Sequence, residues 1–385
     1  MVYDAIVIGV GGMGSATAYQ LAKRGASVLA LEQFNIGHDF GSSHGVNRII
    51  RLAYSEGSSY VPMLRRAYQL WRRIQQIAGE QLLYVTGGVD AGPREGSIVQ
   101  GSLLSCKEHQ LRHELLDSKR LQRRFPGFRL PRDLVAVYQP DAGFIMSERA
   151  IIAYVTAAQA LGATIHGLEP VRSWKVGHGR VAVKTDKDTY QARKLVIAAG
   201  PWASKLVTYL SKRRLAEPER QVLIWTHPLR PKYFQLGAFP IFNMEAPVNG
   251  SMHRYYGFPV FSVPGFKFGK YHHLNESTDP DRMKRACGPK DERALRDAIV
   301  RYFPDANGPT MAMKACLFTN SPDEHFVIGT LPGCTRVIVA AGFSGHGFKF
   351  ASVVGEIMAD LALEGSSQRF DLSMFDLDHH RRPLS

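Results

Sequence analysis

The amino-terminal segment carries the pattern that most restricts the fold of this 385-residue chain. A short apolar run at residues 5–8 leads directly into Gly9-Val10-Gly11-Gly12-Met13-Gly14, and a second apolar run at 26–31 ends in Glu32. The intervening residues 16–24 have helical character. This order predicts a β-α-β unit with a glycine motif at its first turn and an acidic side chain at the tip of its second strand.

Each part of this motif suits the binding of a dinucleotide. Gly9 permits the tight turn, and Gly11 lets a pyrophosphate approach the backbone. Gly14 allows the helix to pack closely on the sheet, and the start of that helix presents unpaired N–H groups to the phosphates. Glu32 is placed to accept hydrogen bonds from the ribose hydroxyls. The segment therefore predicts a dinucleotide site rather than a plain glycine-rich turn.

Two later segments favour FAD over NAD. The apolar strand at 194–199 ends in Gly200-Pro201-Trp202, a small-residue turn typical of FAD enzymes, in which it closes over the dinucleotide. A further strand at 337–341 leads into a glycine-rich loop at 342–349 and then into a helical face that ends at Leu361. The start of that helix is a second place where negative charge is stabilised.

Composition limits the partners and the compartment. Lys and Arg number 48 and Asp and Glu 34, which gives a net charge of +14, but the basic residues are scattered and no nucleic-acid-binding signature occurs. The four cysteines include no C-x-x-C pair, so neither a metal site nor a disulfide framework is expected. Because no apolar stretch reaches membrane-spanning length and no signal peptide precedes the first strand, we expect a cytoplasmic protein with no membrane partner.

Five further segments carry a resemblance to a known family. They are Gly41 to Arg51, Tyr255 to Pro259, Lys314 to Cys316, Ser321 to Phe326 and Gly342 to Phe350. With the glycine motif, they make the chain similar over almost its whole length to monomeric sarcosine oxidase and its relatives, N-methyltryptophan oxidase and pipecolate oxidase. The resemblance implies an FAD-dependent oxidase of a small secondary amino acid (sarcosine, an N-methyl amino acid or a cyclic imino acid such as pipecolate). Such an enzyme oxidises the C–N bond to an imine and reduces O2 to hydrogen peroxide, and we expect a monomer.

The resemblance assigns roles to single residues. Cys316 matches the cysteine that is bonded through sulfur to the flavin, so covalent FAD is expected. Arg51 and Lys349 match the ligands of the substrate carboxylate, because an anion held in a dry pocket needs charge-assisted hydrogen bonds. Arg48 matches an arginine under the flavin ring, where a positive charge raises the reduction potential.

Further matches concern catalysis. Lys267 matches the lysine that contacts the flavin through water and promotes the reaction with O2. His272 matches an active-site histidine, and His346 is a second candidate near the ring. Because the segment from Lys267 onward holds one residue more than the family pattern, Lys270 and His273 stay open as alternatives.

The expected substrate pocket departs from the family pattern. Asn47 stands where that pattern carries threonine, and Phe318 where it carries tyrosine, while Tyr256 is expected to line the pocket. Without the hydroxyl at Phe318 the pocket is less polar, which favours a larger or cyclic amine. The residues expected around the cofactor are Gly9, Gly11, Gly12, Met13, Gly14, Glu32, Gln33, Ser42, Ser43, Arg48, Val171, Gly200, Trp202, Cys316, Gly345, Gly347, Phe348 and Lys349.

The chain is predicted to be an α/β protein with two interleaved domains. A Rossmann-like FAD-binding domain comprises residues 1–84, 141–215 and 316–385, and a substrate domain with a mixed sheet comprises 85–140 and 216–315. Strands are predicted at 222–225, 255–261 and 266–268, and an amphipathic helix at 291–303.

Other functions stay open at this point. A flavin amine dehydrogenase of the same fold would pass its electrons to another acceptor, and a deglycating oxidase would act on fructosyl amino acids. A flavoprotein that has lost catalysis and an NAD-linked dehydrogenase are the remaining alternatives.

Overall fold

The computed structural model describes residues 1–379. Its strands are β1 (Val2–Ile8), β2 (Val28–Leu31), β3 (Asn47–Ile50), β4 (Leu83–Val85), β5 (Gly88–Pro93), β6 (Glu114–Asp117), β7 (Leu134–Gln139), β8 (Gly143–Met146), β9 (Thr164–His166), β10 (Val171–Gly177), β11 (Arg180–Thr185), β12 (Thr189–Ile197), β13 (Glu217–Thr226), β14 (Ile241–Val248), β15 (Ser251–Phe258), β16 (Phe266–Lys270), β17 (Glu276–Ser277), β18 (Thr310–Asn320), β19 (Val327–Leu331) and β20 (Cys334–Ala341). Its α-helices are α1 (Gly12–Lys23), α2 (Val61–Ala78), α3 (Ser97–His109), α4 (Ser118–Arg124), α5 (Ser147–Ala160), α6 (Ala203–Leu206), α7 (Thr208–Lys212), α8 (Pro289–Tyr302) and α9 (Ala351–Leu363). Residues 380–385, the end of the predicted 316–385 piece, lie outside the described residues.

The first sheet is built around the amino-terminal strand. β1 lies between β2 and β12 and is parallel to both, and β9 extends the sheet beside β2. β12 pairs with two strands on its other edge, since its first part is antiparallel to β11 and its last part is parallel to β20. The continuous apolar sequences of β1 and β2 suit a parallel sheet that is covered on both faces.

Helices cover both faces of this sheet. On one face α1 lies between α5 and α9. A Cβ on Gly355 of α9 would lie 2.6 Å from the Ala16 side chain of α1, so the glycine is what lets these two helices approach so closely. On the other face, Val207 and Leu210 pack onto the sheet from the segment that holds α6 and α7.

The second sheet is largely antiparallel and has the order β17-β13-β16-β15-β14-β5-β7-β6, with β18 also paired to β13. β5 and β14 form its parallel pair. α8 covers one face, where Leu295 and Ile299 join a core that contains Phe242 and Phe268. A third, small sheet has the order β3-β8-β4, and its strand β3 carries Arg48.

The predicted α/β class, with a Rossmann-like unit and a second mixed sheet, is confirmed. The helix predicted at 291–303 is α8, Pro289–Tyr302, and β15 ends before Pro259, which has no N–H to donate to a ladder. Val260 and Phe261, predicted as strand, therefore lie outside it. The boundary predicted at residue 316 falls inside β18, which belongs to the second sheet, while the rest of the domain division stays a prediction. Within residues 1–379, no helix combines the length and the apolar character needed to cross a membrane.

Candidate active site

The glycine motif forms a tight turn between β1 and α1. Gly9 has a φ of +90°, and α1 begins at Gly12 with Gly11 as its N-cap. A Cβ on Gly14 would lie 1.7 Å from the carbonyl oxygen of Gly9, so a side chain does not fit at this crossing. The unpaired N–H groups at the start of α1 remain available for an anion.

Backbone N–H groups fix the carboxylate of Glu32 beside this turn. Its Oε2 accepts a hydrogen bond from Val10 N–H at 2.9 Å, and its Oε1 accepts one from Phe34 N–H at 3.1 Å. Oε1 also lies 3.5 Å from Nε2 of His38, whereas Oε2 keeps a further lone pair that can accept a hydrogen bond from a ribose hydroxyl.

A cavity of about 510 Å³ adjoins the glycine turn and is lined by residues of both large sheets. The predicted cofactor residues in its lining are Gly9, Gly11, Gly12, Met13, Glu32, Gln33, Ser42, Ser43, Arg48, Val171, Gly200, Trp202, Gly345, Gly347 and Phe348, and Phe318 lines it as well. The start of a helix, a fixed acceptor for ribose and a cavity lined by both large sheets fit FAD.

Three residues predicted to contact the cofactor are absent from this lining. Gly14 packs against the Gly9 carbonyl, so its contribution is to helix packing rather than to the cavity surface. Cys316 and Lys349 are buried next to lining residues, with Cys316 immediately before Leu317 and Lys349 immediately after Phe348.

Cys316 lies on β18 between two basic side chains. The Nη2 of Arg48 is 3.5 Å from its Sγ, and the imidazole of His44 is the second basic group. Burial raises the pKa of the thiol, but His44 and Arg48 outweigh burial and lower that pKa to about 6. The lowered pKa favours the thiolate, which is the nucleophilic form.

Lys267 on β16 is buried and its ammonium is fully hydrogen-bonded. Its Nζ donates to the carbonyl oxygens of Gly45 at 2.8 Å and Asn47 at 2.7 Å, and to Asn47 Oδ1 at 2.8 Å. Burial and the neighbouring Arg48 lower the pKa of Lys267 well below its ordinary value. All three partners can only accept hydrogen bonds, so the geometry matches the three N–H groups of the charged form.

Strand alternation distinguishes Lys267 from Lys270. Phe266 and Phe268 point into the core of the second sheet, so Lys267, Gly269 and Tyr271 lie on the opposite face. Lys270 falls on the core-facing side of the strand, near its end, and is half-buried. The structure therefore brings Lys267, and not Lys270, to Arg48 and Asn47.

Arg51, predicted to bind a substrate carboxylate, is held by two carboxylates of the protein itself. Its Nε donates to Asp90 at 3.1 Å, and its Nη2 donates to both oxygens of Glu56 at 2.9 and 3.1 Å. Burial lowers the pKa of the guanidinium, but Asp90 and Glu56 outweigh burial and raise that pKa. Nη1 has no hydrogen-bond partner within residues 1–379, so it remains available to a ligand.

Lys349 and His346 lie beside Arg51. Lys349 Nζ donates to the His346 carbonyl at 2.7 Å and lies 5.1 Å from the ring centroid of Tyr54. Burial, followed by the charge of Arg51, lowers the pKa of Lys349 to about 7. Within the described part of the chain, Lys349 forms no ion pair.

The His346 ring is held by both of its nitrogens. Because the Glu324 carbonyl, 2.9 Å from Nε2, can only accept, Nε2 carries the proton and Nδ1 accepts from the Tyr54 hydroxyl at 2.5 Å. Burial lowers the pKa of His346 to about 4, so the ring is neutral at physiological pH.

The two other histidines are held by carboxylates. The imidazole of His272 lies between Glu219 at 2.8 Å and Glu324 at 3.0 Å, and hydrogen bonds to Glu219 and then to Glu324 raise its pKa to about 10. His273 is buried, lies 3.2 Å from Asp291 at the start of α8, and has its pKa lowered by burial. His272 thus stays beside the candidate site, whereas His273 belongs to the capping network of α8.

Three aromatic rings are in contact beside the candidate site and form an aromatic wall, in which Phe318 lines the cavity and Tyr271 is close enough to Arg51 to feel its charge. Tyr271 contacts Tyr256 and Phe318 edge-on, with centroid distances of 5.3 and 5.6 Å. Gly269 makes room for the Tyr256 ring, since a Cβ there would lie 2.4 Å from it. Gly345 does the same for Phe318, with a Cβ distance of 2.4 Å. This wall is apolar enough to receive the carbon skeleton of a small ligand.

Several residues of the site were not predicted. Glu56 and Asp90 reach Arg51 through folding of distant segments, and the sequence offers no signal for them. Tyr271 follows from strand alternation once Lys267 is placed, and the same rule places Arg254 beside Tyr256 on β15. Within residues 1–379, no group of three or more His, Cys, Asp or Glu side chains could hold a metal ion.

The fold and this cavity define a flavoprotein of the dinucleotide-binding type, and known proteins agree. The family described as FAD dependent oxidoreductase matches residues 4–361. Monomeric sarcosine oxidase from Bacillus sp. (strain NS-129) is 41% identical over 379 residues, covering 98% of this chain and 96% of the relative. N-methyl-L-tryptophan oxidase from Yersinia pestis (strain Pestoides F) is 35% identical over 382 residues, covering 99% and 100%.

A solved structure gives the same result. NikD, described as an unusual amino acid oxidase essential for nikkomycin biosynthesis, matches in its open form with a TM-score of 0.81 and 27% identity over 97% of each chain. The chain therefore belongs to the FAD dependent oxidoreductase family, in the group that includes monomeric sarcosine oxidase and N-methyl-L-tryptophan oxidase. The predicted family resemblance is thereby confirmed.

Proposed function

We propose that this chain oxidises the C–N bond of a small secondary amino acid to an imine and reduces O2 to hydrogen peroxide. When bound, FAD supplies the redox chemistry, accepting two electrons from the amine and passing them to O2. The relatives named for sarcosine and N-methyl-L-tryptophan oxidation support an N-methyl amino acid as substrate.

The observation that carries this proposal is the buried ammonium of Lys349 beside Arg51. Lys349 directly follows Gly347 and Phe348, which line the cavity, and it has no carboxylate partner in the described chain. A substrate carboxylate bound to Lys349 and to Nη1 of Arg51 is held by charge-assisted hydrogen bonds in a dry site. That position orients the carbon next to the amine toward the cavity, with the aromatic wall around its substituents.

Lys267 promotes the reaction of the reduced flavin with O2. Its ammonium is fixed by three carbonyl oxygens, so it cannot turn away when charge appears nearby. Electron transfer to O2 places negative charge on a small molecule in a dry pocket, and a fixed cation stabilises it without solvent reorganisation.

Cys316 is proposed to attach FAD covalently. The thiolate favoured by His44 and Arg48 is the reactive form, and Ser42 and Arg48, which lie beside its sulfur, also line the cavity. A tether of this kind prevents loss of the cofactor between turnovers. We also propose a cytoplasmic monomer, in keeping with the name of the sarcosine oxidase relatives.

An oxygen-electrode screen tests this proposal. The panel contains sarcosine, N-methyl amino acids, L-proline, L-pipecolate and a fructosyl amino acid, with peroxide measured in parallel. We expect O2 uptake and an equal amount of peroxide with at least one secondary amino acid. Reduction of the flavin without O2 uptake indicates a dehydrogenase, and activity confined to the fructosyl compound indicates a deglycating oxidase.

A further inference from the structure

Arg254 is a basic side chain beside the candidate site that forms no ion pair with an acidic side chain of residues 1–379. It lies on β15, on the same face as Tyr256 and Phe258, and opposite Tyr271, whose N–H donates to the Arg254 carbonyl at 2.9 Å. Its guanidinium carbon is 5.6 Å from the ring centroid of Tyr271. Arg254 therefore extends the wall formed by Tyr256, Tyr271 and Phe318.

One nitrogen of the half-buried Arg254 guanidinium is unsatisfied in the described structure. Its Nε is buried and makes no hydrogen bond within residues 1–379. Two carboxylates near it are engaged elsewhere, Glu56 by Arg51 at 2.9 Å and Glu324 by His272 at 3.0 Å, while Glu245, its cross-strand neighbour on β14, accepts a hydrogen bond from Ser97. Arg254 lowers the pKa of Glu56 and Glu324 by its charge, which places it near them, yet it forms no ion pair with either in this part of the chain.

A buried guanidinium nitrogen without an acceptor is unfavourable, and an anionic ligand corrects this. The α-carboxylate of the substrate is already provided for by Lys349 and Arg51. Tyr271 is next to Arg51, and Arg254 lies 5.6 Å from the Tyr271 ring, so both are within reach of a side chain that extends from this clamp. A single guanidinium matches one singly charged carboxylate in a bidentate arrangement, and a phosphate dianion would need a further cation.

We propose that Arg254, supported by Tyr271, is a second anion-binding position that faces the side chain of the substrate. The preferred substrates are then N-alkyl amino acids that carry a second carboxylate. This inference rests on the proposed function, since it assumes that Lys349 and Arg51 bind the first carboxylate. The glycine motif and Cys316 bear on the cofactor and do not determine this substrate class, the N-alkyl amino acids with a second carboxylate.

Matched acids and amides test the proposal in the FAD-loaded protein. The specificity constants of N-methyl-L-aspartate and N-methyl-L-glutamate are compared with those of N-methyl-L-asparagine and N-methyl-L-glutamine, which have nearly the same shape and no second charge. We expect the acid to exceed its amide by about tenfold or more at one of the two chain lengths. Arg254→Met should bring this ratio close to one, and Arg254→Lys should keep part of it.

Lys270→Met is the control, because Lys270 is a cation of the same hairpin on the opposite face of β16. It should leave the acid-to-amide ratio unchanged. Equal rates for acid and amide in the unaltered protein overturn the proposal, and so does a ratio that survives in Arg254→Met. If no secondary amino acid, sarcosine and L-pipecolate included, is oxidised, the proposed function itself fails, which is a different result from oxidation of sarcosine without a preference for acids.

Ligand binding measured without turnover tests the role of Arg254 even if oxidation of the substrates is slow. (Methylthio)succinate and 2-(methylthio)butanoate are thioether analogues in which the side chain ends in a carboxylate or in a methyl group, and the heat of binding of each is measured by titration calorimetry. (Methylthio)succinate should bind more tightly to the unaltered protein, and Arg254→Met should abolish the difference. Equal affinities for both ligands in the unaltered protein contradict the assignment of Arg254.

Discussion

The Nη2 of Arg48 lies 3.5 Å from the Sγ of Cys316, and the same nitrogen donates to the Ser42 carbonyl at 2.8 Å. Arg48 is thus fixed beside the thiol, where its charge acts with that of His44 to lower the pKa of Cys316 to about 6 against the effect of burial. Arg48 and Ser42 also line the cavity that fits FAD. One side chain therefore connects the nucleophile to the cofactor site.

The first prediction concerns the flavin bond. If the cofactor is tethered through Cys316 as proposed, protein precipitated with acid should stay yellow. Cys316→Ala should bind FAD that acid releases, and Arg48→Met should slow attachment because it removes a cation that stabilises the thiolate. The measurement is the 450 nm absorbance of pellet and supernatant. Complete release of flavin from the unaltered protein would show that the bond does not form.

The second prediction concerns the carboxylate clamp. Lys349→Met removes a charge-assisted hydrogen bond to a desolvated anion, which is worth about 1.5–3 kcal/mol. The specificity constant for the amino acid should therefore fall roughly ten- to a hundredfold. The decarboxylated amine serves as the matched control, since it has no carboxylate to lose. Equal losses for the acid and for its amine would contradict the clamp.

The third prediction concerns pH. Lys349 has its pKa lowered to about 7 by burial and by Arg51, so it is charged below that pH and neutral above it. Binding of (methylthio)acetate, which has a carboxylate but no amine, should therefore weaken progressively as pH rises above about 7. Lys349→Met should remove this dependence. Affinity that is constant from pH 6 to 9 in the unaltered protein argues against Lys349 as the carboxylate ligand.

The substrate amine should give the rate of flavin reduction a pH dependence opposite to that of carboxylate binding. An ammonium has no lone pair to give, so the amine must lose its proton before it is oxidised. Flavin reduction at saturating substrate should therefore become faster toward alkaline pH. Rapid mixing without oxygen measures this rate, and a flat profile from pH 6 to 10 would contradict the requirement for the neutral amine.

The fourth prediction concerns oxygen. At an effective dielectric constant of about 20, two unit charges at 4 Å attract by about 4 kcal/mol. This corresponds to roughly a thousandfold in rate. Lys267→Met should slow flavin reoxidation by orders of magnitude and affect flavin reduction by substrate much less. Lys270→Met should leave both rates nearly unchanged. Slow reoxidation in Lys270→Met and not in Lys267→Met would reverse the assignment.

The rate of reoxidation should also depend on pH. Burial and Arg48 lower the pKa of Lys267, and only the charged form of Lys267 stabilises the negative charge on oxygen, so reoxidation should slow as pH rises through that pKa.

The features that the sequence predicted best are those set by residues close together in the chain. The glycine turn and Glu32 lie within one β-α-β unit, whose geometry is set by strand order and by the room that glycine provides. The choice between Lys267 and Lys270 needed the side of β16 that faces the core, which alternation with Phe266 and Phe268 supplies. The extra residue in this segment left that choice open in the sequence alone.

Contacts between segments that are far apart in the chain could not be predicted from the sequence. Asp90 reaches Arg51 from β5, and Glu56 reaches it from the loop after β3. No pattern in either segment predicts these ion pairs. The imidazole of His272 is likewise held by Glu219 and Glu324 from two other parts of the chain. Such pairings are set by how the two large sheets meet around the cavity.

The central claim is that the chain is an oxidase of secondary amino acids, and a single-turnover experiment tests it most directly. Sarcosine is mixed with the protein without oxygen, the 450 nm absorbance is followed, and buffer containing O2 is then added. We predict loss of absorbance with sarcosine, rapid recovery with O2, and one hydrogen peroxide formed for each flavin. Absorbance that does not change with sarcosine or any other secondary amino acid, or reduced flavin that O2 reoxidises no faster than free reduced flavin, would contradict the account.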